Sequence, residues 1–173
     1  MSKIIKGIFV SLSCILFFAS CQEDEIGTRL NSKLLTDKIC KNMYVYMTDS
    51  MDYSDTISRI TYYYNDTTKL LRLLHTNAGF NCCPTDLYCK VNLQNDTLYI
   101  QELEYKAMCD CNCLYDLEIQ ISNLTAKKYY LKFIEPYIHN ETELSFEVDL
   151  THHKNGSFSV VRKNYPWGTS VMY

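Results

Sequence analysis

The chain has 173 residues, with 17 Lys and Arg against 20 Asp and Glu for a formal net charge of −3, and no basic stripe that would hold nucleic acid or an anionic membrane surface. Its length suits one domain with a sizeable core, and its nine cysteines point to an oxidising compartment.

Lys3 and Lys6 precede an apolar run, Ile8 to Phe18, which is too short to span a bilayer comfortably and closes on Phe18-Ala19-Ser20-Cys21. That order is a signal peptide over residues 1–20 ending in a lipobox, so Cys21 is expected to carry the diacylglycerol. Several acyl chains on one residue anchor a protein stably where a single chain does not. The next residues, Gln22-Glu23-Asp24-Glu25, resemble the acidic export signal that sends Bacteroidota lipoproteins to the outer face of the outer membrane; the plainer alternative is a solvated charge run. The expected location is therefore the outer membrane, lipid-anchored and facing outward. Residues 21–38 read as the lipidated cysteine and a tether, with a helical turn or two through Leu30, Leu34 and Leu35, and residues 39–173 as a single disulfide-braced β domain.

Strand signals follow closely within that domain. Met43 to Met47 comes first, then Ile57 to Tyr64, and Asn65-Asp66-Thr67-Thr68 turns the chain into Leu70 to Thr76. Asn77-Ala78-Gly79 reads as a break. Leu87 to Leu93 places Leu87, Cys89, Val91 and Leu93 on one face, and Gln94-Asn95-Asp96 turns into Thr97 to Leu103. In Cys109 to Ile121 the odd positions are Cys109, Cys111, Cys113, Tyr115, Leu117, Ile119 and Ile121, a period of two that predicts inward-facing cysteines. Tyr129 to Phe133, Leu144 to Leu150 and Phe158 to Val161 complete the set. Short strands with close-set turns and almost no helical periodicity predict an all-β, antiparallel β-sandwich, with a small β-barrel as the alternative. Asn123-Leu124 through Tyr129 looks like the corner of immunoglobulin-like and fibronectin-like domains, which favours the sandwich.

Setting aside Cys14 in the leader and Cys21 leaves Cys40, Cys82, Cys83, Cys89, Cys109, Cys111 and Cys113 as disulfide candidates. Residues two apart on a strand are about 6.6 Å apart, at the far end of the workable range, so pairing between the clusters is favoured over pairing within them. Up to three bridges could join Cys82, Cys83 and Cys89 to Cys109, Cys111 and Cys113. Cys40 is then left free, or takes one of those partners and leaves another thiol over. A zinc or copper(I) site built from the same cysteines with His75 is the competing expectation, although no CxxC knuckle is present.

Together, His75, Asn77, the run Phe80-Asn81-Cys82-Cys83-Pro84 and the run Cys109-Asp110-Cys111-Asn112-Cys113-Leu114-Tyr115-Asp116 resemble a group of small uncharacterised Bacteroidota lipoproteins with a CCP element and a CxCxC-x-x-D element. The resemblance covers most of residues 60–135 and implies location and fold, with no catalytic residues.

No serine or threonine sits in a nucleophile elbow, and His139, His152, His153, Glu141, Glu143 and Asp149 fall at strand ends or turns where solvated charge is the simpler account. Tyr165-Pro166-Trp167-Gly168 could present an aromatic platform or cover one end of the core, and the latter is favoured. Ser50, Thr56, Thr67 and Thr97 follow aspartates at predicted turns and match the short acceptor motif of Bacteroidota O-glycosylation, a pattern that ordinary turn chemistry also produces. The expectation is a lipid-anchored, non-catalytic binding or accessory module with a glycan or protein partner, no nucleic acid, no cofactor and no metal. The alternatives are a metal-binding envelope lipoprotein using the cysteines and a barrel holding a small apolar ligand.

Overall fold

A computed structural model describes residues 30–36, 39–41 and 56–166. The expected leader, Cys21, the acidic run after it, the strand expected at Met43 to Met47, Ser50 and Trp167 lie outside the described residues. Nine strands are present among those described: β1 Asn31–Leu35, β2 Ile57–Asn65, β3 Leu70–Asn81, β4 Pro84–Gln94, β5 Thr97–Ala107, β6 Asn112–Ser122, β7 Lys128–Ile134, β8 Ser145–Asp149 and β9 Asn155–Val161. They form two sheets, ordered β1-β6-β3-β2-β9 and β4-β5-β7-β8. Neither sheet closes on itself, so the fold is a β-sandwich and the barrel alternative is set aside.

Alternation builds the interior. Ile60, Tyr62 and Tyr64 of β2, Leu71 and Leu73 of β3, and Ile119 and Ile121 of β6 meet Leu98, Ile100, Leu131, Phe133, Phe146 and Val148 of the smaller sheet in one core. A smaller cluster of Ala78, Phe80, Leu87, Cys113, Tyr115 and Leu117 fills the cysteine-bearing end. The expected corner is present. Tyr129, at the start of β7, is buried and donates its hydroxyl to Thr125 O at 2.9 Å, while Leu124 beside it is buried and its carbonyl accepts from Tyr64 Oη at 2.7 Å.

Four features differ from the sequence expectation. β5 and β7 pair in parallel, which makes the smaller sheet mixed, because alternation fixes which face a residue takes but not the direction of its strand. β1 falls inside the stretch read as tether and helical turn: Leu34 pairs with Ile119 along an edge of β6 that would otherwise be bare. β3 does not stop at Asn77 but bulges there, the register shifting between His75 and Ala78 with Asn77 at φ 65°. The bulge moves the inward phase from Leu71, Leu73 and His75 to Ala78 and Phe80, which lie opposite Tyr115 and Cys113. Finally, β6 begins at Asn112, so Cys109 and Cys111 lie on a bend at the rim instead of facing inward, and Cys111 is exposed while Cys113 is buried.

Candidate functional site

The chain crosses between the sheets at one end twice, from β3 to β4 through Cys82 and Cys83 and from β5 to β6 through Cys109 and Cys111. Two disulfides join these crossings, Cys82–Cys111 with Cα atoms 5.6 Å apart and Cys83–Cys109 at 5.5 Å. A third, Cys40–Cys113 at 5.8 Å, ties residues 39–41 to β6, where Lys41 N–H also donates to Leu114 O at 2.8 Å. Cys40 therefore takes Cys113, and the thiol left over is Cys89, whose burial pushes its pKa up. With six sulfurs bonded to one another, the thiolates that a zinc or copper site would need are engaged.

Asn81 organises this end from within. Its Nδ2 donates to Cys109 O at 2.5 Å and Cys111 O at 3.0 Å, and its Oδ1 accepts from the Cys83 and Cys109 amides at 3.0 and 3.2 Å. Its own N–H donates to Glu104 Oε2 at 2.8 Å, and Tyr137 donates to the other oxygen of Glu104 at 2.5 Å. Burial, with that bond to a carboxylate, pushes Tyr137 up to about 12. One buried amide thus hydrogen-bonds the backbone of both crossings beside the two bridges.

A cluster of buried charge lies between the sheets. His75 of β3, Glu102 of β5, Glu135 just past β7 and Arg162 just past β9 are 0, 1, 6 and 2 % exposed. His75 Nδ1 lies 2.7 Å from Glu102 Oε1, His75 Nε2 lies 3.8 Å from Glu135 Oε1, and Arg162 Nη2 donates to Glu135 Oε2 at 2.7 Å. Arg162 also stacks over the Tyr165 ring at 4.6 Å, and the Tyr165 hydroxyl accepts from Gly79 N–H at 2.6 Å. Gly79 has to be glycine here, because a Cβ would come within 2.7 Å of Tyr165 Cζ. Burial alone would lower the His75 pKa, but the charge and hydrogen bond of Glu102, with the charge of Glu135, hold it above the ordinary imidazole value. Burial raises Glu102, partly offset by His75.

By residue type His75, Glu102 and Glu135 could hold a metal ion, with one ligand atom from each lying within 4.8 Å of the others. The geometry favours a different guest. Glu102 already occupies Nδ1 and Arg162 occupies one oxygen of Glu135, and a dication beside Arg162 would leave net positive charge in the core, where an uncompensated charge costs several kcal/mol. A single proton balances two carboxylates and one guanidinium.

The outer face of the smaller sheet is the third feature. Tyr88, Tyr99, Leu103, Tyr105, Tyr130 and Ile134 occupy its outward positions; Tyr88 stands opposite Leu103, and Tyr99 stands between Asn92 and Lys132. Tyr105 and Tyr130 are about half exposed, at 52 and 44 %.

The remaining candidates are dispersed. Thr67 is exposed on the β2–β3 turn, where its N–H donates to Asn65 Oδ1 at 3.0 Å, while Thr56 and Thr97 are partly buried at the starts of strands. His152 pairs with Asp149 at 3.0 Å in the β8–β9 turn, Glu143 pairs with Lys132 at 3.1 Å, and Glu141 accepts the amides of Lys163 and Asn164, all on the surface. Tyr165 and Pro166 are buried and cover one end of the core. Glu102, Glu135 and Arg162 escape a reading by motif. Each nonetheless carries an alternation signal: Glu102 falls in the inward phase of Leu98 and Ile100, Glu135 in that of Leu131 and Phe133, and Arg162 in that of Phe158 and Val160. Compared with protein-family models, curated proteins and solved structures, the chain matches none of them.

Proposed function

We propose that this is a lipid-anchored lipoprotein of the outer membrane, facing outward, whose disulfide-braced sandwich is a non-catalytic binding or accessory module presenting the outer face of β4-β5-β7-β8 to a glycan or protein partner. The observation that carries the reading is the stapling of both sheet crossings by cysteine pairs, an arrangement that persists in an oxidising compartment and is rare in a reducing one. Two sequence features support it, the lipobox closing on Cys21 and the Gln22-Glu23-Asp24-Glu25 run after it. Resemblance to Bacteroidota lipoproteins with CCP and CxCxC-x-x-D elements points the same way. The sheet face is suited to binding because tyrosines give large, stiff contact area with a polar tip, and Asn92, Gln101 and Lys132 beside them supply hydrogen bonds. The buried His75–Glu102 pair is closed to a substrate, which favours binding over catalysis.

Labelling cells with a fatty acid and shaving intact cells with protease tests the location. Label lost in Cys21→Ala and cleavage on intact cells are expected; an unlabelled protein, or one cleaved only after lysis, would refute the reading. Glycan arrays and pull-downs with the wild type and a Tyr88→Ala/Tyr105→Ala/Tyr130→Ala variant test the face. Binding that survives the triple substitution would place the partner elsewhere.

A further inference from the structure

Four charged or titratable side chains from four different strands or strand ends meet where water does not reach, and their arrangement has an arithmetic. Glu102 and Glu135 bring two negative charges, Arg162 brings one positive charge, and the cluster sums to zero only with one further proton on the His75–Glu102 pair. Among the described residues, nothing else facing His75 supplies that charge. β2 and β6 place Ile60 and Leu117 beside it, Phe133 of β7 meets its ring edge-on at 5.8 Å, and the Cys89 thiol of β4 is held protonated by burial. Past β9, Tyr165 is likewise held protonated, by burial and by the charges of Glu135 and Glu102.

We infer that the His75–Glu102 pair is a one-proton latch: with the proton held, the cluster is neutral and fastens both sheets to segment 162–166, and loss of the proton leaves a buried negative charge that loosens the junction. The segment is joined to the cluster directly. Arg162 spans Glu135 and the Tyr165 ring, Tyr165 takes the Gly79 amide at the bulge of β3, and Asn112 Nδ2 donates to Pro166 O at 3.0 Å. Glu102 Oε2, Glu135 Oε1 and Arg162 Nη1 are buried without a protein hydrogen-bond partner, so a changed charge in the cluster is not met by protein hydrogen bonds already in place. The chemistry is a simple ionisation, an N–H proton passing to solvent.

The direction follows from linkage. His75 holds its proton more tightly folded than unfolded, so its contribution is full below the unfolded imidazole pKa of about 6.5 and is lost as pH rises through the folded value. Raised Glu102 acts with the same sign, favouring the folded state at lower pH.

Urea unfolding of the complete protein between pH 5 and 9, followed by circular dichroism, tests the latch against Glu102→Gln. That variant keeps the shape and is neutral with an unprotonated His75, so it is expected to fold and to lose the pH dependence. In the wild type the folding constant is expected to fall by up to about tenfold per pH unit above 6.5. The exposed His139, His152 and His153 cancel in the comparison. Equal slopes in the two proteins would overturn the inference. Nitrogen NMR of the wild-type imidazoles decides independently if Glu102→Gln does not fold: one histidine holding its proton well above the ordinary range is expected, and four ordinary titrations would overturn the latch.

Discussion

Removing Cys83 and Cys109 together, as Cys83→Ala/Cys109→Ala, separates a bridge that closes a long loop from one that reinforces a loop already closed. Alone, a bridge spanning 26 residues is worth about 3.5 kcal/mol in the chain-entropy model. The Cys82–Cys111 bridge, spanning 29 residues, has however already brought the two crossings together, so Cys83–Cys109 closes a residual ring of only about five residues, worth about 2 kcal/mol. By symmetry, losing Cys82–Cys111 alone costs about 2 kcal/mol, and losing both costs about 5–6 kcal/mol because the long loop then opens. Cys40–Cys113 spans 73 residues and shares neither crossing, and its loss costs about 4 kcal/mol. Urea unfolding of the wild type, the two single-bridge variants and the variant lacking both gives the coupling directly. A coupling near 1.5–2 kcal/mol is expected. Single losses of about 3.5 kcal/mol that simply add would refute the picture of two redundant staples.

Three further outcomes follow from individual contacts. Gly79→Ala drives a methyl group toward the Tyr165 ring, and a loss of about 1–3 kcal/mol is expected, with faster amide exchange around Arg162 to Pro166; an unchanged unfolding midpoint would mean that the segment does not pack on β3. Tyr129→Phe keeps the ring and removes the bond to Thr125 O, so about 1 kcal/mol should be lost in urea unfolding with the circular dichroism spectrum unaltered. Asn77→Ala at φ 65° removes the side-chain bonds to Ile57 O at 2.8 Å and from Lys41 Nζ at 2.9 Å; about 1–3 kcal/mol should be lost, and a neutral result would count against the bulge.

Much of the sandwich is legible because a half-buried strand must alternate. Phe146 and Val148 against Ser145, Glu147 and Asp149 leave β8 no other conformation, and Asn65-Asp66 sets the β2–β3 turn through the Asn65 side chain. Alternation is silent on what neighbours do, and the departures are all of that kind. Leu30 and Leu34 have helical spacing, yet β1 forms because the edge of β6 offers a ladder. Asn77 reads as a stop until the bulge shows how the strand passes through it. The cysteine clusters announce that they pair with each other, but the choice of Cys40 over Cys89 for Cys113 depends on residues 39–41 lying against β6. Glu102, Glu135 and Arg162 could each have been noticed as a charge continuing an inward phase, after Leu98 and Ile100, after Leu131 and Phe133, and after Phe158 and Val160; what alternation does not reveal is that the three meet.

The most direct test is a thiol count with peptide mapping on protein purified from cell envelopes without reductant, alkylated after unfolding. With Cys21 lipidated and Cys14 removed with the leader, as proposed above, a single alkylated cysteine, Cys89, is predicted, with peptides linked as Cys40–Cys113, Cys82–Cys111 and Cys83–Cys109. Several free thiols, or a linked Cys89, would contradict the account of a sandwich braced at its crossings in an oxidising compartment.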